Sequence, residues 1–259
     1  MSDLSGKTII VTGGGSGIGR ATVELLVASG ANVAVADIND EAGEAVVAAS
    51  GGKAAYFRCD IAQEEDVKAL VAQTLAAFGG LDGAFNNAGI PQAGLPLAEV
   101  SLERFRQSMD INVTGTFLCM KYQILAMIER GTKGSIVNTA SVAGVVGVPM
   151  HGEYVGAKHA VVGLTRMAAA DYGKHGIRVN ALVPGAVRTP MLQRVMDNDA
   201  GLEPYLKSIH PIGRFSEPHE QAQAAVWLLS DAASFVTGSC LAADGGLSTA
   251  VGFQASMAE

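Results

Sequence analysis

Cysteine is scarce: Cys59, Cys119 and Cys240 are odd in number and widely spaced, which excludes a disulfide framework or a cysteine zinc site and suits reduced, buried thiols. Positive charge is also in short supply. Eighteen Lys and Arg stand against 25 Asp and Glu, a net charge of −7 with a pI near 5.2, and no basic run is visible, so a nucleic-acid partner is not expected. No uninterrupted apolar stretch reaches the roughly 18 residues of a membrane span. The start, MSDLSGKTII, lacks a charged region followed by a secretory apolar core, and a soluble, cytoplasmic protein with no membrane partner is expected. His151, His159, His175, His210 and His219 form no close cluster with cysteines or carboxylates, so no metal site is expected; they read as surface or packing residues, with His151 and His210 bordering a pocket. Aromatic residues make up only 5%, yet hydrophobic residues reach 49%, enough for a sizeable core.

What is present is alternation. Short apolar runs at Thr8–Val11, Asn32–Asp37, Ala54–Cys59, Leu81–Asn86, Ser135–Ala140, Ile177–Val183 and Ser239–Ala242 are separated by longer helical patterns, including ones that start near Gln63, Ser101, Gly152 and Pro218. The 32 glycines punctuate these segments without forming a linker or a low-complexity tract. The pattern predicts one α/β domain over 1–259, with seven parallel strands flanked by helices in a doubly wound, Rossmann-type sheet.

The first strand leads into Thr12-Gly-Gly-Gly-Ser-Gly-Ile-Gly19 and then a helical pattern from Arg20. Backbone N–H groups and the positive dipole end at a helix N-terminus suit a pyrophosphate, and glycines let its oxygens reach the main chain. The spacing Gly13, Gly17, Gly19 departs from the strict dinucleotide fingerprint. Asp37 closes the second strand eighteen positions after Gly19, about where a carboxylate accepts hydrogen bonds from an adenosine ribose. Its charge would repel a 2′-phosphate, and no Lys or Arg in the glycine turn compensates one. The expected cofactor is NAD. The alternative is that Asp37 merely ends a strand before the Asn39/Asp40 helix cap.

Tyr154 and Lys158 stand four residues apart in YVGAK, on one helical face, downstream of Ser141. A phenol ordinarily ionises near pH ~10, and an ammonium beside it typically lowers such a value by about 1–3 units, making a usable general acid/base. The alternative is an ordinary pair on a solvated helix.

With TGGGSGIG at 12–19, Asp60-Ile61, Asn86-Asn-Ala-Gly89, Asn112, Ser141, Tyr154/Lys158 and Pro184-Gly185 with Thr189 in order, the chain resembles the short-chain dehydrogenase/reductase family from about Gly6 to Leu247. The resemblance implies a catalytic tetrad of Asn112, Ser141, Tyr154 and Lys158. Tyr154 would take the proton of a secondary alcohol as its hydride passes to nicotinamide, Lys158 would favour the phenolate and bond the ribose, and Ser141 would orient the hydroxyl. Asn112 resembles the residue that holds a water linking Lys158 to solvent. It also implies cofactor contacts from Ser16 and Ile18 at the pyrophosphate, Asp60 and Ile61 beside adenine, and Asn87, Ala88 and Gly89 under the ribose. Pro184, Gly185, Val187 and Thr189 would stand at the carboxamide end. Asn86 is expected instead to tie the fourth strand to its neighbour.

Arg188–Phe215 resembles the family's substrate lid, and its Met191, Leu192, Met196, Tyr205 and Leu206 suit a hydrophobic ligand, with Arg188 and Arg214 leaving a charged one open. The leading expectation is an NAD-dependent dehydrogenase of a neutral secondary alcohol or its ketone. A 3-oxoacyl thioester reductase and a non-catalytic nucleotide-sensing protein are the alternatives. Helical patterns at Ser101–Glu129 and Gly152–Tyr172, together with the resemblance, imply a homotetramer.

Overall fold

The computed structural model describes residues 3–197, 199 and 201–249. Parallel neighbours need long crossovers, and here each strand is followed by at least one helix. The strands are β1 (Thr8–Thr12), β2 (Asn32–Asp37), β3 (Ala54–Arg58), β4 (Gly83–Asn86), β5 (Ser135–Thr139), β6 (Arg178–Pro184) and β7 (Cys240–Ala243). They form one parallel sheet in the order β3-β2-β1-β4-β5-β6-β7. The strand order reverses between β1 and β4, the position at which an open α/β sheet leaves a ligand crevice beyond its strand ends. Thr12, Asn86 and Asn138 stand level there.

Both faces are covered. In β1, Ile10 packs into one apolar cluster with Leu70, Met127 and Ile136, while Ile9 and Val11 pack into another with Leu26, Val35, Phe85 and Leu228. Side-chain alternation along a strand accounts for that division. The covering helices are α1 (Gly17–Ala28), α2 (Asp40–Ala48), α3 (Glu64–Phe78), α4 (Leu102–Met109), α5 (Thr116–Glu129), α6 (Gly152–Tyr172), α7 (Pro190–Met196), α8 (Leu202–Ile209) and α9 (Pro218–Leu229). Local chemistry fixes their starts: Asn39 caps α2 through the Ala42 N–H at 3.1 Å, Ser101 caps α4, and Glu217 and Glu220 form a reciprocal capping box on α9.

The structure departs from the sequence reading in detail. Helix α1 begins at Gly17, inside the glycine turn, and β4 is two residues shorter than expected. The pattern from Ser101 to Glu129 is not one regular helix, since Asp110–Gly115 between α4 and α5 is a π-helical turn. Such turns are rare and gather at functional sites. Leu102–Glu129 is long and apolar enough to cross a membrane by composition, but 56% of its most apolar window is buried, as in a core helix. Asn86 does tie β4 to β5, donating to Asn138 Oδ1 at 2.9 Å and exchanging hydrogen bonds with Gln123. Cys59 and Cys119 are buried thiols, whereas Cys240 is partly exposed.

Candidate active site

The glycine turn has the shape of an anion cradle. Gly13 and Gly17 hold φ of 65° and 52°, and a Cβ on Gly19 would lie 2.0 Å from the Gly13 carbonyl oxygen, so only glycine closes this turn. Ser16, the exposed N-cap of α1, makes no side-chain capping bond, and no acidic residue stands in the first turn. The first N–H groups of α1 therefore meet no acid of their own helix. Ile18 roots the turn by packing on the α1 side of the core. Asp37 lies against the same turn: its Oδ2 accepts from Gly15 N at 2.9 Å and its Oδ1 from Asn39 N at 3.0 Å. These donors and the carboxylate beside them fit a dinucleotide.

Next along the crevice, Thr12 Oγ1 accepts from the backbone N–H groups of both Asn87 and Ala88, at 3.0 and 3.1 Å. Asn87 Nδ2 returns to the Thr12 and Gly13 carbonyls, and a Cβ on Gly13 would touch Ala88. The β4 end is thus locked to the glycine turn. Asp60 accepts from Ala62 N at 3.0 Å and borders a groove of about 460 Å³ with Arg106, Asp110 and Ile111. Ile61 is buried and packs on Gly115.

Ser141 follows β5, where its Oγ accepts from Ala143 N at 3.2 Å and lies beside the phenol of Tyr154 in the first turn of α6. Lys158, on the next turn, is buried and donates to the Thr139 carbonyl at 2.8 Å, with Nζ 5.4 Å from the Tyr154 ring centroid. Asn112 lies in the π-helical turn, wholly buried, and clasps Ile90: its Oδ1 accepts from Ile90 N at 3.0 Å and its Nδ2 donates to Ile90 O at 3.2 Å. A Cβ on Gly89 would come within 2.6 Å of Asn112 Oδ1 and 3.8 Å of Lys158 Nζ. All four tetrad residues therefore stand around the ends of β4 and β5.

The electrostatics differ from the sequence reading. The phenol is not drawn down by Lys158. Burial pushes Tyr154 up to about 12, against the opposing hydrogen bond from Ser141, and burial lowers Lys158 to about 8. Desolvation disfavours each group's charged form, and the ammonium is engaged by Thr139.

At the third strand end, Pro184 is the last residue of β6, and a Cβ on Gly185 would strike His210 Nε2 and the Asp244 backbone. Val187 bridges Ser216, and Arg188 N donates to Ser216 O at 2.9 Å. The segment expected to be a lid thus springs from a closed base. Residues 198 and 200 of it lie outside the described residues. It holds two short helices that the sequence reading missed, although Thr189-Pro190 is a recognisable cap: Thr189 Oγ1 accepts from Leu192 N with proline following. Thr189 also rests against Gly17, joining this segment to the glycine turn.

Other readings need correction. His210 does border a cavity of about 180 Å³ beside Gly185 and Asp244, but it is 3% exposed and both ring nitrogens are engaged, Nδ1 donating to Leu206 O and Nε2 accepting from Ala186 N. Met196 is buried, whereas Met191 is exposed. Arg188 and Arg214 are engaged, the first with Glu203 and Glu217 and the second with Glu220. Met150, at φ 66°, is the single non-glycine residue of positive φ among the described residues and stands at the rim before α6.

The chain is similar to known proteins along almost its whole length. The family described as enoyl-(acyl carrier protein) reductase matches residues 13–248. A 2,5-dichloro-2,5-cyclohexadiene-1,4-diol dehydrogenase of Sphingobium indicum is 98% identical over 246 residues, 95% of this chain and 98% of its own. A cyclohexanol dehydrogenase of Acinetobacter sp. is 43% identical over 245 residues, 93% of this chain and 95% of its own. Among solved structures, levodione reductase shares a TM-score of 0.91 at 38% identity, covering 95% of this chain and 99% of that one. A 3-ketoacyl-(acyl-carrier-protein) reductase from Brucella melitensis complexed with NADH gives 0.89 at 33%, covering 95% and 100%. Sequence, topology and strand-end chemistry converge: the chain belongs to the short-chain dehydrogenase/reductase family and is an oxidoreductase acting on CH–OH groups.

Proposed function

We propose that this enzyme oxidises one carbinol of a neutral six-membered-ring diol, of the class named for its 98% identical relative, with NAD as hydride acceptor. The observation that carries the reading is the convergence of Ser141, Tyr154 and buried Lys158 at the ends of β4 and β5, with Lys158 Nζ 5.4 Å from the Tyr154 ring centroid. Tyr154 Oη takes the hydroxyl proton, and Ser141 holds the hydroxyl oxygen beside it, a preorganised donor of the kind whose loss costs about 10²–10³ in rate. Bound NAD⁺ supplies the hydride acceptor. Lys158, anchored on the Thr139 carbonyl, reaches the nicotinamide ribose, while Asn112 fixes the loop that follows Gly89.

Asp37 supports NAD over NADP, because a carboxylate against the glycine turn repels a 2′-phosphate. The cofactor contacts run from Gly13, Ser16, Gly17, Ile18 and Gly19 through Asp37, Asp60, Ile61, Asn87, Ala88 and Gly89 to Pro184, Gly185, Val187 and Thr189. The chain acts as one catalytic domain with residues 188–215 as its lid. A neutral substrate is favoured because Arg188 and Arg214 already face carboxylates. Exposed Phe105, Phe117, Leu125 and Met167 on α4 to α6 support a homotetramer, and light scattering that gives a monomer at micromolar concentration would overturn that assembly.

The test follows reduced-nicotinamide absorbance with NAD⁺ or NADP⁺ against cyclohexanol, cyclohexadienediols and 3-oxoacyl thioesters. Oxidation of ring alcohols with NAD⁺ supports the reading. Thioester reduction with NADPH and no ring-alcohol turnover refutes it.

A further inference from the structure

The loop that leaves the β4 end is held by three side chains, buried Asn112 and Glu153 and partly buried Arg104, of which the tetrad accounts for one. Asn112 clasps Ile90, the Arg104 guanidinium donates through Nη2 to the Pro91 carbonyl, and Glu153 Oε1 accepts from Ala93 N at 2.5 Å. Arg104 and Ser108 lie one turn apart on α4, and Asn112 Nδ2 reaches back to Ser108 Oγ at 3.3 Å, so these three residues form one ladder facing the loop. Glu153 closes the arrangement from α6. It is wholly buried, stands immediately before Tyr154, and lies 3.8 Å from Arg104 Nε. Its second oxygen and Arg104 Nε are buried without hydrogen-bond partners. Beyond Ala93 the loop stays on α6, with Leu95 bridged to His151 and Leu97 against Gly152.

A buried carboxylate in this place is a poor way to gain stability, because desolvating both ions offsets their attraction, and apolar residues of like volume often do as well. What the pair does achieve is geometric. Glu153 and Tyr154 are adjacent on the same rigid turn, so the carboxylate that catches Ala93 fixes the 90–95 loop relative to the phenol. We propose that Glu153 and Arg104 are positioning residues that set this loop as the wall against which a ring substrate is held on Tyr154. The inference rests on the reading of the site as one for cyclic carbinols.

The experiment compares Glu153→Leu, Glu153→Gln and Arg104→Met with the wild type. KM and kcat are measured for cyclohexanol and propan-2-ol, the NAD dissociation constant by titration, and hydrogen exchange across 90–95 in the cofactor-free protein. In Glu153→Leu, KM for cyclohexanol rises at least about tenfold, the weight of one buried hydrogen bond to a charged group. Propan-2-ol, too small to need the wall, and NAD binding change little, and exchange across 90–95 quickens. Glu153→Gln keeps an acceptor for Ala93 and restores most of both properties. Arg104→Met moves them in the same direction as Glu153→Leu and keeps the test available if that variant does not fold. Wild-type exchange and KM in Glu153→Leu and Arg104→Met, equal losses for both alcohols, or a Glu153→Gln variant as impaired as Glu153→Leu, would each overturn the proposal. Wild-type turnover of cyclohexanol tests the substrate reading by itself, and the exchange measurement tests the clamp even where no ring alcohol is oxidised.

Discussion

Lys158 stands over the ring of Tyr154, 5.4 Å from its centroid, but gives its hydrogen bond to the Thr139 carbonyl at 2.8 Å. The spacing that brings them together is local, one turn of α6. Their protonation is not, because the sheet ends and the loop after Ser141 strip water from both. The phenol rises to about 12 and the ammonium falls to about 8, each toward its neutral form.

Tyr154→Phe keeps the ring and removes the acidic oxygen. In steady-state assays kcat falls by about 10²–10⁴ while NAD binding persists. Oxidation by the wild type speeds up with rising pH, since the phenol must lose its proton to act as base, and the Phe variant loses that slope. Near wild-type turnover in the variant would assign the proton to another group.

Lys158→Met separates charge from packing. An unfolded lysine keeps its proton up to its ordinary value of 10.5, but the folded one releases it near 8. Between those values the unfolded chain binds more protons, so Lys158 makes stability rise with pH there, and below 8 its full penalty stands. Wild-type stability should therefore gain on the Met variant by up to about 3 kcal/mol between neutral pH and 10.5, at about 1.36 kcal/mol per pKa unit. Parallel denaturation curves across that range would show that burial does not depress the ammonium.

Asp37→Ala removes the proposed ribose acceptor and its charge, and it also frees the Gly15 and Asn39 N–H groups that Asp37 now holds. The ratio of kcat/KM for NAD over NADP falls, with a stability loss of about 1 kcal/mol per hydrogen bond removed. An unchanged ratio would place the carboxylate away from the ribose.

The 188–215 segment, proposed as the lid, separates its two central methionines. Met191 is exposed, so Met191→Ala changes the ranking of alcohols by kcat/KM with little loss of stability. Met196 is buried, and Met196→Ala costs about 2–5 kcal/mol by leaving a cavity. Thermal melts beside a substrate panel check both, and equal behaviour of the two variants would count against this division.

Much of this enzyme was legible in one dimension. Strand positions followed from short apolar runs between glycines, and the cradle from glycines at positions where a side chain meets the Gly13 carbonyl or a positive φ is required. Tyr154 and Lys158 announced themselves because a helical turn is itself a sequence period. The lid helices escaped because seven or eight residues carry too few turns for a periodic signal, and the Thr189-Pro190 cap was the cue that remained.

The order of local elements and the residue types of the site were determined by the sequence itself, since propensity, capping and backbone sterics act within a few residues. Partnership was decided only by the tertiary structure. Nothing in the sequence singles out Glu153, which α4 and the 90–95 loop bury beside Arg104, sixty residues from its Ala93 partner. His210 borders a cavity as its sequence position suggests, but only the fold shows that Ala186 and Leu206 occupy both its nitrogens. Burial and pairing depend on what distant segments bring to the same place, and the same distant contacts, by excluding water, set the charge of Tyr154 and Lys158.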